Sequence, residues 1–110
     1  MLKRMARGVR DGAIAIAIRS WLNDRYGEYG RVSEVSLDVD KGTLRVTALL
    51  HGERDSITAT VDRFTLHNED GEWHVLIHSI SASRAWLGQL LNRLGAGKRL
   101  PLPASVARLL

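Results

Sequence analysis

The sequence contains no cysteine, which excludes disulfides, thiolate nucleophiles and cysteine-based zinc sites. It has only two prolines and ten glycines, too few for a collagen-like or low-complexity chain. Its apolar run at residues 13–18 is six residues long. A membrane-spanning helix needs about 20 apolar residues, and the core of a secretory signal needs about 7–15. We therefore predict a cytoplasmic protein, peripheral to the membrane if it meets one.

Aromatic residues make up only 5% of the chain, which disfavours a sheet that reads RNA by stacking bases. The net charge of +4 is unevenly distributed. Residues 1–10 and 79–110 together carry nine basic residues and no acid, whereas residues 11–78 carry seven basic and twelve acidic residues. Basic ends predict an anionic partner, with a membrane surface favoured over nucleic acid. Packing of these ends on the acidic middle of this chain or of a second copy is the alternative.

The first two thirds of the sequence predict a helix followed by four strands, in which apolar and polar residues alternate. Asp11 is a suitable N-cap for a helix from Gly12 to Tyr26. The four segments that follow have apolar residues at every second position and are separated by short turn sequences, which indicates an antiparallel meander. A turn at Lys41-Gly42 places Val39 opposite Leu44, and the charges of Asp38 and Arg45 then lie side by side.

The same reasoning sets the second hairpin and the shape of the sheet. A turn at Glu53-Arg54 places Leu50 opposite Ile57. The apolar pattern then changes phase near Asp62-Arg63 and near His78-Ser79, which predicts two bulges. Bulges bend strands, so we expect the sheet to be strongly bent and to wrap around the first helix.

Ser83 is a suitable N-cap for a second helix from Arg84 to Leu94, with Gly95 as its C′ residue. Pro103 begins a last short helical turn. The predicted fold class is α+β in a single domain, residues 1–110. It comprises a basic N-terminal arm (1–11), a helix with a curved four-stranded sheet (12–83) and a basic, leucine-rich helical tail (84–110).

No arrangement of residues indicates catalysis, a metal site or a cofactor. The four histidines, His51, His67, His74 and His78, are all expected on the outer face of the sheet. His74 and His78 are about 13 Å apart on an extended strand, too far to share one ion. No serine–histidine–acid set or isolated carboxylate pair is evident. We predict that the protein is not an enzyme.

The chain from Val35 to Leu110 resembles the tubular lipid-binding superfamily. The resemblance is carried by three segments: "SEVSLDVDKGTLRVTALL", which begins two residues earlier at Ser33, "EDGEWHVLIHSISAS" and "LPLPASVARLL". The similarity is to the LmeA-type phospholipid-binding proteins of the bacterial envelope. It implies a bent antiparallel sheet around a long helix, with a groove for acyl chains. It assigns no individual ligand residue.

We therefore expect a non-enzymatic binding domain for a lipid or another amphipathic ligand, or for an anionic membrane surface. The alternatives are a homo-oligomeric interaction module, held by the C-terminal leucines or near Leu49 and Leu76, and a basic nucleic-acid-binding domain. The candidate ligand-binding residues are Ile14, Ile18, Trp21, Phe64, Trp73, Trp86 and Leu90. The candidate contacts with an anionic surface are Arg93, Lys98 and Arg99.

Overall fold

The computed structural model describes the backbone of residues 2–110 and the side chains from Gly8 onward. Helix α1 (Leu2–Tyr26) leads into an open antiparallel sheet, which is followed by two further helices. The sheet contains β1 (Gly30–Asp38), β2 (Thr43–Leu50), β3 (Ile57–Glu69), β4 (Glu72–Ala82) and β5 (Arg99–Pro101), in that spatial order. Helix α2 (Ala85–Gly95) precedes β5, and α3 (Ala104–Ala107) follows it. The predicted α+β class is confirmed, with five strands instead of four.

The predicted start of the first helix at Gly12 is wrong, because residues 2–11 also belong to α1; residue 1 lies outside the described residues. Asp11 is consequently inside the helix and does not cap it. Its carboxylate contacts the Arg10 guanidinium at 3.4 Å and accepts a 3.3 Å hydrogen bond from the backbone N–H of Val39. The acid therefore ties α1 to the end of β1.

The two predicted hairpin registers are each wrong by two residues. Leu37, not Val39, is opposite Leu44, because four residues (39–42) connect β1 to β2. Ala48, not Leu50, is opposite Ile57. A shift of two keeps every side chain on its original face, so the predicted inner, apolar face is nevertheless correct.

The outer-face prediction changes with the register. Arg45 lies opposite Ser36 on β1 and Thr60 on β3, so the predicted position beside Asp38 is wrong. The carboxylate of Asp38 instead accepts a 3.0 Å hydrogen bond from the backbone N–H of Lys41 within the turn. Asp38 therefore stabilises its own turn, whereas the sequence analysis predicted that it would pair with a charge on the neighbouring strand.

Both predicted bulges are confirmed, and they lie opposite each other. Val61 pairs with Ile80 and Phe64 with Ile77, while Arg63 pairs with Ser79, so Asp62 and His78 have no partners in the register. A further irregularity at Ser33, between Val32 and Glu34, was not predicted. These extra residues bend strands and increase their twist, which curves the sheet.

The second half of the chain also departs from the prediction at two points. The hydroxyl of Ser83 accepts a 3.0 Å hydrogen bond from the backbone N–H of Thr58 and does not cap α2, whose N-cap is Arg84. Gly95 is the last residue of α2, and it is Gly97 that has a left-handed conformation (φ 78°). The N–H of Gly97 donates to the carbonyl of Ile77 at 2.8 Å, which directs the chain along β4 to form β5.

Candidate ligand-binding site

An apolar cavity of about 110 Å³ lies between α1, the inner face of the sheet and the C-terminal segment, defined here as residues 99–110. Every residue of its lining is aliphatic or aromatic, and none carries a polar side chain. The lining consists of Ile14, Ile18, Leu37, Val39, Leu44, Val61, Phe64, Leu66, Val75, Ile77, Leu102, Val106 and Leu110.

Helix α1 contributes Ile14 and Ile18, which are one turn apart on the side of the helix that faces the sheet. Ile14 is the most deeply buried large side chain among the described residues. The strands contribute alternate residues of their inner faces, as their two-residue period requires. The cavity therefore lies at the centre of the core, where the helix and the curved sheet do not fill the space between them.

Phe64 reaches the cavity because of the double bulge. Without the extra residue at Asp62, the alternation from Val61 would turn Phe64 to the outer face. The N–H of Phe64 donates a 2.8 Å hydrogen bond to the carbonyl of Gly42. A Cβ at Gly42 would lie 2.5 Å from the carbonyl oxygen of Phe64, and Gly42 has a φ of 69°. This position therefore requires glycine for both its conformation and its space.

The C-terminal segment closes one side of the cavity with Leu102, Val106 and Leu110. Val106 is almost completely buried. The segment is attached by the three-residue strand β5 and by a 3.0 Å hydrogen bond from the N–H of Leu102 to the carbonyl of Trp73. Leu102, Val106 and Leu110 therefore pack on their own sheet, which leaves them unavailable for the contact with a second copy that was one of the alternatives.

The structure brings together three of the predicted ligand-binding residues, Ile14, Ile18 and Phe64. Trp21 packs edge-on against the ring of Tyr26, with the Arg25 guanidinium 5.6 Å from the Trp21 ring centre, and does not line the cavity. Trp73 is half-buried near the far end of the β3–β4 hairpin, opposite Asn68, and is also absent from the lining.

The remaining predicted contacts lie outside the cavity. Trp86 and Leu90 are exposed on α2. Arg93 and Lys98 are exposed, and neither makes an ion pair with another described residue. Arg99 is exposed too, but it pairs with Glu69. Of the predicted residues, three thus line the cavity and Trp86, Leu90 and Arg93 lie on α2, whereas the other four lie in neither place.

Ten cavity residues were not among the predicted site residues. Six are strand residues, such as Leu44 and Val75, that the two-residue period marks as core but cannot mark as cavity lining, and Val39 follows directly after β1. The other three are the tail residues Leu102, Val106 and Leu110. The sequence shows that this tail has more apolar residues than one helix can bury. It does not show which part of the molecule covers them.

The histidines do not form a metal site: among the described residues, no group of three potential ligands is close enough to hold an ion. His67 lies directly opposite His74 on the neighbouring strand. The Nδ1 atom of His74 is buried without a hydrogen-bond partner among the described residues.

Comparison with known proteins finds no relative: no family model, curated protein or solved structure matches the chain. Within the described residues, no helix is both long enough and apolar enough to cross a bilayer. Functional inference for this chain therefore depends on the cavity and on the exposed surfaces.

Proposed function

We propose that the protein is a non-enzymatic binding domain that holds the apolar chain of an amphipathic ligand, such as a fatty acid, in the cavity. The observation that carries this proposal is the lining itself, which is apolar at every residue. An apolar cavity remains dry and favours apolar occupants. The absence of an acid, base or nucleophile from the lining supports binding without chemical change.

The size of the cavity limits what it holds without movement. A cavity of about 150 Å³ accommodates benzene. At about 110 Å³, this cavity accepts only the end of an alkyl chain while the C-terminal segment stays in place. A longer chain requires Leu102, Val106 and Leu110 to move aside, and its methylenes then take the place of their side chains.

The attachment of the C-terminal segment is suited to such a displacement. Strand β5 contributes three residue pairs to the sheet, and α3 has four residues. The left-handed Gly97 precedes the segment and provides a position where the chain direction can change. The segment is in this proposal a cover that gives way to the ligand.

The energetics favour an occupant. The side chains that line the cavity lack packing partners on the side that faces its empty space. A ligand that fills it restores the missing dispersion contacts and removes its own alkyl surface from water. Binding is therefore expected to raise the free energy of unfolding.

Arg108 is the candidate contact for an anionic headgroup. It is exposed and lies two residues from each of the lining residues Val106 and Leu110. It makes no ion pair with another described residue. The resemblance to the tubular lipid-binding superfamily is consistent with this proposal, since a bent sheet beside a long helix is what it implies.

The test is calorimetric titration of the full chain with dodecanoate and with dodecanol, both below their aggregation concentrations. We expect both to bind, and R108Q to weaken dodecanoate more than dodecanol. V75F places a ring in the cavity and is expected to abolish binding. V35F is its matched control, because Val35 is also a half-buried valine of the inner face but does not line the cavity.

Circular dichroism establishes that both variants fold. Absence of binding by the wild-type chain would contradict the proposal. Equal binding by V75F and the wild-type chain would place the ligand somewhere other than this cavity.

A further inference from the structure

Helix α2 has an exposed apolar face opposite the face that it packs on the sheet. Its packed side carries Leu87 and Gly88, both buried, and the half-buried Leu91. Its outward side carries Trp86, Leu90 and Leu94, which are 54%, 44% and 59% exposed. Their spacing of i, i+4 and i+8 is that of a continuous stripe along one side of a helix. We name these three residues the α2 stripe.

The hydrogen bonds of Asn92, on the other side of the helix, keep the α2 stripe facing outward. The N–H of Ile80 donates to the side-chain oxygen of Asn92 at 2.9 Å, and the amide of Asn92 donates to the carbonyl of Ile80 and, at 2.7 Å, to that of Gly88. Gly88 faces Ala82, and a Cβ at this position would lie 3.4 Å from the backbone nitrogen of Ala82. Rotating α2 to bury the stripe would break these contacts, so its exposure is a fixed feature of the fold.

The stretch of sequence that carries the α2 stripe is basic. Residues 73–110 contain five arginine and lysine residues and no acid. The Arg84 guanidinium pairs with Glu53 at 3.1 Å, and Arg99 pairs with Glu69. Arg93 lies on the same side of the helix as Trp86, seven residues on, and Lys98 lies just beyond the helix end. Both are exposed and lack an ion pair among the described residues.

We infer that the α2 stripe, with Arg93 and Lys98, docks on an anionic membrane surface. A tryptophan and two leucines beside unpaired cations match the interfacial region of a bilayer, where apolar side chains enter and cations stay among the headgroups. Unpaired cations beside apolar side chains complement anionic lipid headgroups. This inference is independent of the cavity: α2 contributes none of its lining residues.

The first test is co-sedimentation of the full chain with vesicles of phosphatidylcholine, alone or with phosphatidylglycerol. We expect binding to the anionic vesicles and weaker binding to the neutral ones. L90S/L94S is expected to lower the partition coefficient by about tenfold or more, from the loss of buried leucine surface. R93Q/K98Q is expected to lower it by about fivefold per cation on anionic vesicles only.

L49S is the matched control for L90S. Leu49 is 43% exposed, nearly equal to Leu90, and lies on the outer face of β2. R31Q/R54Q is the control for charge, because both arginines are exposed and lie elsewhere. Both controls are expected to bind as the wild-type chain does. Failure of the wild-type chain to pellet with anionic vesicles, or equal losses in L49S and L90S, would overturn the inference.

A second measurement locates the contact. Addition of anionic vesicles is expected to shift the tryptophan emission of the wild-type chain to shorter wavelength, and W86F is expected to remove that shift. Persistence of the shift in W86F would overturn the assignment to α2. In the absence of vesicle binding, two other findings would also overturn the inference. One is a gel shift with random-sequence DNA that depends on Arg93 and Lys98. The other is an oligomer that L90S/L94S dissociates.

Discussion

The side chain of Asn92 on α2 bonds to both backbone groups of Ile80 on β4, next to the double bulge. Asn23 on α1 does the same for Val32 on β1: its amide donates to the carbonyl at 3.1 Å and its oxygen accepts from the N–H at 2.8 Å. In each case a carboxamide satisfies strand groups that would otherwise lack a partner where the ladder is interrupted. Each helix is thereby fixed to one outer region of the sheet.

We expect N92A to destabilise the protein by about 2 kcal/mol, because the backbone N–H and carbonyl of Ile80 lose their partners. The gain in helix propensity from asparagine to alanine opposes this by only a few tenths of a kcal/mol. Urea unfolding followed by circular dichroism measures the change. Q89A on the same helix is the control, because Gln89 is exposed and makes no hydrogen bond with another described side chain. Equal stabilities of N92A and Q89A would show that the Asn92 contacts contribute nothing.

The close approach of Gly42 to Phe64 can be tested by substitution, with Gly52 as the control. We expect G42A to cost about 3 kcal/mol, from the positive φ and from the contact with the Phe64 carbonyl. G52A shares the positive φ, 89°, but its added methyl meets nothing within 4 Å. It is expected to cost only about 1–2 kcal/mol. The same unfolding experiment compares them, and equal losses would remove the steric part of this account.

The features of the fold that the sequence predicted correctly are those set by neighbouring residues in the chain. The phase changes near Asp62 and His78 are local, and both bulges were found. The hairpin registers depended on which residues form the turn, and the hydrogen bond from Lys41 to Asp38 makes the first turn longer than the sequence suggested. The start of α1 was missed because Asp11 is a common N-cap residue, and its actual partner, Val39, is distant in sequence.

The candidate site was predicted less well, for a related reason. Ile14, Ile18 and Phe64 were identified because buried apolar periodicity marks them as core. Trp21 and Trp73 share this apolar pattern but lie outside the cavity, because the pattern does not determine where along the inner face a ring lies. Strand β5 has only three residues, too few to show a period, so the route that places Val106 over the cavity was not predictable.

A spin label tests whether the C-terminal segment acts as a cover. Because the chain has no cysteine, A104C provides a unique attachment site on an exposed residue of α3. We expect dodecanoate to increase the mobility of this label, since the segment must move for a long chain to enter. A label at A85C on α2 is the control and is expected not to respond. Dodecanoate binding with an unchanged A104C spectrum would mean that the segment stays in place.

Formation of a homo-oligomer stays a prediction from the sequence. Since Leu102, Val106 and Leu110 pack on their own sheet, the contact predicted near Leu49 and Leu76 remains. We propose that Val9 and Ile16, which are exposed two turns apart on α1, also contribute to it. Sedimentation equilibrium at low micromolar concentration is expected to give at least a dimer, and I16S to weaken it. A wild-type species of 12.2 kDa that persists to high concentration would contradict this prediction.

The most direct test of ligand binding in the cavity is an isotope-filtered nuclear Overhauser experiment on the full chain with unlabelled dodecanoate. The account predicts cross-peaks between the alkyl protons of the ligand and the methyl groups of Ile14, Val61 and Val106, which line the cavity. Cross-peaks only with Leu90 and Leu94 of α2, or none with any methyl group, would contradict it.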